Sequence, residues 1–144
     1  MIHQPTSADG AEIQHVLGMR HANRLLPDQG FGLVIEVTAP PGHGAPPHSH
    51  DKDEEFFYIL DGELTVDLDG NRHVLRPGDS CHLPANVPHA FHNLGEEPAR
   101  FLAIVTPGRD AYAFFRSVAT EEPDMPTATD HLFAAATANG LTFA

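Results

Sequence analysis

Tryptophan is absent and cysteine occurs once, at Cys81, in a chain of 144 residues. A lone cysteine forms no disulfide within its own chain and builds no cysteine-based zinc site, so a reducing compartment suits it. Basic residues are also scarce, 8 Lys+Arg against 20 Asp+Glu, for a formal net charge of -12. That balance repels phosphate backbones and anionic lipid surfaces, which argues against nucleic acid or a membrane as a partner. Long apolar runs are missing: the most continuous, Phe101 to Val105, is strand-sized rather than membrane-sized. The start, Met1 to Gly10, carries neither a basic nor an apolar export segment. A cytoplasmic protein is the expectation, and 144 residues is the size of a single domain able to bury its own core.

What is plentiful is histidine, with 11 copies, alongside 12 glycines and 13 prolines. The glycines and prolines punctuate short runs of β-forming residues. Phe31 to Thr38 reads as a strand running into the breaker-dense stretch Ala39 to Pro47, expected to be an ordered loop. Glu55 to Leu60 and Glu63 to Leu68 flank an Asp61-Gly62 turn and form a hairpin. Arg72 to Arg76, Cys81 to Leu83, His89 to Asn93 and Phe101 to Thr106 supply four more strands between Gly/Pro turns. Many short, evenly spaced strands imply an all-β sandwich or closed barrel. The C-terminal part differs. Asp110 to Val118 and Asp130 to Ala138 read as two short helices joined by a linker at Glu121 to Thr127. Glu12 to Leu26 is ambiguous, a strand addition to the sheet being the favoured reading.

Chemistry concentrates between Gly42 and Gly62. His48 and His50 stand two apart, so on an extended chain they face the same way. A polar turn then allows Glu55 to return beside them on the next strand. His89 opens a later strand after the rigid Pro84 to Pro88 segment, whereas His92 has the opposite parity. Three imidazoles and one carboxylate suit a divalent transition ion (Fe, Mn, Ni, Co, Cu or Zn) better than magnesium or calcium. Four protein ligands in an octahedral site leave two positions for substrate, water or dioxygen.

The spacing of these residues resembles the two signature motifs of the cupin superfamily. In the first, Gly42 is followed after five residues by His48, then His50, after four more Glu55, and after six more Gly62. In the second, Gly78 is followed after five residues by Pro84, then Asn86, after two more His89, and after three more Asn93. One position departs, since the family usually carries glycine where Asn86 stands; asparagine is the residue that best tolerates the left-handed backbone expected there. The resemblance is strongest to single-domain bacterial cupins grouped with quercetin dioxygenases. It implies a jelly-roll β-barrel with a core at about residues 17–106, a helical segment at 108–144, and one metal ion held by His48, His50, Glu55 and His89.

Parity with Glu55 turns Phe57 and Ile59 inward, and Leu64, Val66, Leu68 and Phe91 should share that interior. An apolar, partly aromatic cavity suits a planar small molecule that chelates the metal through oxygen. Phe57 and Phe91, each two positions from a proposed ligand, are the expected substrate contacts, with His43 a further candidate at the barrel mouth. The leading expectation is a dioxygenase in which Glu55 also accepts the substrate's proton. A metal-dependent isomerase or lyase of a sugar or keto acid is the alternative, disfavoured by the lack of inward Lys or Arg; a non-catalytic binding module is another. Small cupins commonly pair, and a homodimer is expected through the N-terminal segment or through Phe114, Phe115, Leu132 and Phe133.

Overall fold

The computed structural model describes residues 4–144; the first three residues of the Met1 to Gly10 segment lie outside the described residues. Eleven strands and two α-helices follow one another in the order β1 (Glu12–Val16), β2 (Met19–Leu25), β3 (Leu33–Ala39), β4 (Gly44–His50), β5 (Glu54–Asp61), β6 (Leu64–Leu68), β7 (Asn71–Leu75), β8 (Ser80–Leu83), β9 (His89–His92), β10 (Ala99–Thr106), α1 (Arg109–Val118), α2 (Thr129–Ala138) and β11 (Leu141–Phe143). One antiparallel sheet has the order β1-β2-β3-β10-β5-β8, the other β11-β4-β9-β6-β7. From β3 to β11 the chain changes sheet at every connection except the β6–β7 hairpin, as in a jelly roll, while β1 and β2 extend the first sheet beyond β3.

Period-two patterning builds the interior. Leu33, Ile35, Val37 and Ala39 of β3 are buried, and so are Ala99, Phe101, Ala103 and Val105 of β10, opposite them in register. On β5 Phe57 and Ile59 are buried whereas Phe56 and Tyr58 are exposed. Leu64, Val66 and Phe91 close the core from the second sheet. Each large apolar side chain withdrawn from water contributes roughly 1.5–3 kcal/mol, so a one-residue slip of β5 would forfeit several such contributions at once.

One ambiguous segment resolves as the favoured strand addition, and two other elements differ from the sequence expectation. Glu12 to Leu26 is a hairpin, β1 with β2, turned at Leu17 and Gly18, both with positive φ; the sheet therefore begins at Glu12, and residue 17 lies in a turn. The last four residues of the stretch expected as a loop, Gly44 to Pro47, belong to strand β4. Its prolines sit where the β4–β9 register shifts between Ala45 and His48, so their missing N–H groups disrupt no regular ladder. The C-terminal segment is not only helical: after α2 the chain returns as β11, pairing Leu141 with His50 and Phe143 with His48.

Asn86 has φ 65°, the left-handed backbone expected for it. Its N–H donates to the His50 carbonyl at 2.8 Å, and its side-chain amide to the Asp51 carbonyl at 3.3 Å. The Pro84 to Pro88 segment is thereby fastened to the end of β4. Asn93, fully buried, is a second fastener: its amide donates to the carbonyls of Ala39 and Glu97 at 2.9 and 2.7 Å, and its oxygen accepts from Gly95 N–H. Both of its amide N–H groups are thereby committed to the backbone.

Candidate metal centre

The four candidate ligands come from three strands at one end of the barrel. β4 presents His48 and His50 on its inner face, β9 opens with His89 directly opposite His48 in register, and β5 supplies Glu55 from the other sheet. All four are buried, and their ligand atoms lie within 4.8 Å of one another. His50 Nε2 is 3.0 Å and His89 Nε2 3.3 Å from the same carboxylate oxygen, Glu55 Oε1. Donors about 2.1 Å from a common ion stand roughly 3.0 Å apart when they subtend a right angle, so these separations fit a shared cation.

The backbone aims two of the rings. His48 Nδ1 is 2.7 Å from the Pro46 carbonyl and His89 Nδ1 3.1 Å from the Val87 carbonyl. A carbonyl only accepts, so each Nδ1 carries the proton and each Nε2 offers its lone pair to the cluster. His89 Nε2 is buried and makes no well-formed hydrogen bond, a polar atom left for an ion to satisfy.

Electrostatics agree with this division. Burial, reinforced by the neighbouring His89, lowers His48 to about 4, so it is neutral at physiological pH and ready to ligate. Burial alone would lower His50 and raise Glu55. Their mutual contact outweighs it, raising His50 and holding the Glu55 carboxyl well below the usual range, with His89 adding to the effect on Glu55. The donor set therefore fits a borderline divalent ion.

Beside the cluster lies a cavity of about 50 Å³ with almost wholly apolar walls. Phe57 and Phe91 line it as expected, their rings edge to face at 5.5 Å, with Phe101 completing the aromatic set. Among the described residues, no lysine or arginine lines it. The other wall is the chain's own C-terminal segment: Phe114 and Phe115 of α1, and Leu141 and Phe143 of β11, close the mouth. Phe114, expected as a dimer contact, is 3% exposed and committed to this internal packing; Phe133 is exposed.

His43, expected at the mouth, stands outside the cavity. It is exposed, with Nδ1 3.1 Å from the Pro41 carbonyl and its ring against Gly18. The reason is distance along β4: five residues of extended chain before His48 amount to roughly 16 Å. Glu54 is exposed and paired with His82 at 2.7 Å. Cys81 is half-buried and burial pushes its thiol up, which leaves it unreactive.

Sequence reasoning overlooked two residues. Asp53 is buried, and its two oxygens accept the N–H groups of Gly108 and Ala111 at 2.7 and 2.9 Å, tethering the start of α1. Nothing local marks it, since the acceptor and its donors are more than fifty residues apart. His21 is buried in the cavity wall; its parity with Met19 on β2 was the available signal, hidden while that strand was unassigned.

Comparison with known proteins agrees with the geometry. Residues 35–105 match the cupin domain family, a range that holds all four candidate ligands. Over 67 residues the chain is 39% identical to polyketide synthase CurC of Streptomyces cyaneus, and over 79 residues 33% identical to quercetin 2,3-dioxygenase of Bacillus subtilis. These matches cover 46% and 55% of this chain, but only 44% and 23% of those proteins. Among solved structures, KdgF from Halomonas sp. superposes with a TM-score of 0.68 at 22% identity, over 77% of this chain and 99% of that one, a likeness of fold. Two sheets rolled around an inward-facing His/His/Glu/His cluster, with the matching sequence motifs, place the chain in the cupin superfamily.

Proposed function

We propose that this cupin holds one divalent transition-metal ion on His48, His50, Glu55 and His89 and acts as an oxygenase on a compact, largely apolar small molecule that chelates through oxygen. The observation that carries the reading is the conjunction of an all-buried three-His, one-Glu donor set with a cavity lacking any lysine or arginine. Sugar phosphates and keto acids would need a fixed cation in the wall, whereas an enol, diketone or catechol needs only the metal and apolar flanks. When bound, the ion would supply Lewis acidity and open positions for a chelating oxygen and dioxygen.

The chain's own residues set the rest. Phe57, Phe91 and Phe101 present ring edges and faces that fit a flat ligand and exclude water. Glu55 is the single carboxylate at the cluster and the candidate acceptor for a ligand's acidic proton; the histidine contacts that depress it make it a ligand first and a weak base second. The small volume favours compact ligands such as a catechol or diketone, and a larger flavonol would require the α1 and β11 cover to shift. Of the two relatives, the one named quercetin 2,3-dioxygenase is in keeping with this reading.

The test is oxygen uptake by metal-loaded protein offered a diketone, a catechol and a flavonol, with parallel anaerobic incubations. Turnover that requires and consumes dioxygen supports the reading; turnover without it would move the chain to the isomerase, lyase or cyclase class. We also propose a homodimer, formed without Phe114, which light scattering would test.

A further inference from the structure

The cavity wall contains one polar side chain beyond the metal set. Of the residues lining it, only His21, His48, His50 and Glu55 are polar, and the last three are candidate ligands. His21 projects from β2 on the same face as Met19, in register with Val37 of β3, and is 3% exposed. Its Nδ1 is buried without any hydrogen-bond partner. Asn23, the next inward residue, donates its amide nitrogen to Glu12 and Gln14 at 2.9 and 3.0 Å; its Oδ1 and His15 Nδ1 also lack partners, but of the three residues only His21 lines the cavity. Phe115 packs edge-on against the His21 ring, centroids 4.9 Å apart and planes at 85°, which fixes its orientation.

A buried polar nitrogen with no partner destabilises a fold, and leucine in its place would pack without that cost. Such a group is therefore a candidate for satisfaction by something not part of the chain. Burial lowers the imidazole to about 4, so it is neutral and offers one donor and one acceptor, and it lines the same cavity as Glu55.

We propose that His21 is a second anchor point of the ligand site, hydrogen-bonding a hydroxyl or carbonyl of the bound molecule apart from the oxygens that chelate the metal. This rests on the functional reading above and narrows it: the ligand is a chelator with at least one further polar group, held at two points across otherwise apolar walls. The site would then discriminate against chelators lacking that group, because they leave His21 unpaired.

The test uses cobalt-loaded protein under anaerobic conditions, titrated with catechol and with its two ring-hydroxylated forms, pyrogallol and hydroxyquinol, following the visible bands and heat. The expected result is that the better hydroxylated form binds wild type about tenfold more tightly than catechol. In His21→Leu that preference falls to about one while cobalt content and catechol affinity hold, and His21→Gln, which keeps a donor and an acceptor, restores part of it. Cobalt content and thermal melts of both variants report their folding. An unchanged preference in a folded His21→Leu, or none in wild type, would overturn the proposal and leave the chelation reading standing. Failure of loaded wild type to bind any of the three would overturn the chelation reading, and this one with it.

Discussion

Asp53→Asn should loosen the cover of the cavity while leaving the metal ligands in place. Asp53 lies two residues before Glu55 and accepts two backbone N–H groups at the start of α1, whose first turn has no side-chain cap of its own. Hydrogen bonds to a charged acceptor contribute about 1.5–3 kcal/mol each, and a carboxylate at a helix N-terminus gains further from the aligned peptide dipoles. An asparagine keeps one accepting oxygen but turns an NH₂ group towards the second N–H, so one bond is lost, the other loses its charge, and a buried donor is orphaned. The expected destabilisation is about 2–4 kcal/mol in urea denaturation, or a Tm lower by roughly 6–12 °C for a chain of this size. Because α1 carries Phe114 and Phe115 onto the cavity, protease cleavage in the Glu121 to Thr127 segment and dye binding at the mouth should both increase. A variant within 0.5 kcal/mol of wild type, with an unaltered cleavage pattern, would refute the view that Asp53 holds the cover down.

Two pH dependences follow from the same cluster. Since Glu55 raises His50, a metal must displace a proton that persists to higher pH than usual; affinity measured by chelator competition should weaken up to about tenfold per unit as pH falls below that raised value. Affinity independent of pH between 5.5 and 8 would contradict this. In metal-free protein His21, at about 4 against 6.5 unfolded, binds its proton later than the unfolded chain does, so the stability it allows is present above pH 6.5 and is lost as pH falls towards 4. Wild type should therefore lose about 2 kcal/mol more than His21→Leu between pH 7.5 and 5, read from urea midpoints.

The site was legible because its signal is local and periodic. His48 and His50 share a face by strand parity, Glu55 heads the next strand, and His89 rather than His92 falls on the inward parity; all four converge. Apart from β4, the barrel strands from Leu33 to Thr106 were legible for the same reason, and Asn86 announced its left-handed backbone through its residue type. What was not legible depends on contacts between distant segments. Pro46 and Pro47 disguised β4, because a register shift absorbs the prolines only once β9 is beside them. The three-residue β11 exists through pairing with β4, which composition does not encode. Asp53 reads as a solvated turn residue until α1 is placed over it, and Phe114 reads as a surface aromatic until the same helix turns it onto the cavity.

The most direct test of the account is the metal content of the purified, metal-supplemented protein by elemental analysis, run beside His48→Ala, His89→Ala and, as a control outside the cluster, His43→Ala. About one transition-metal ion per chain is expected in wild type and in His43→Ala, and well under half of that in the two cluster variants while they stay folded. Equal metal in all four proteins, or none in a folded wild type, would contradict it.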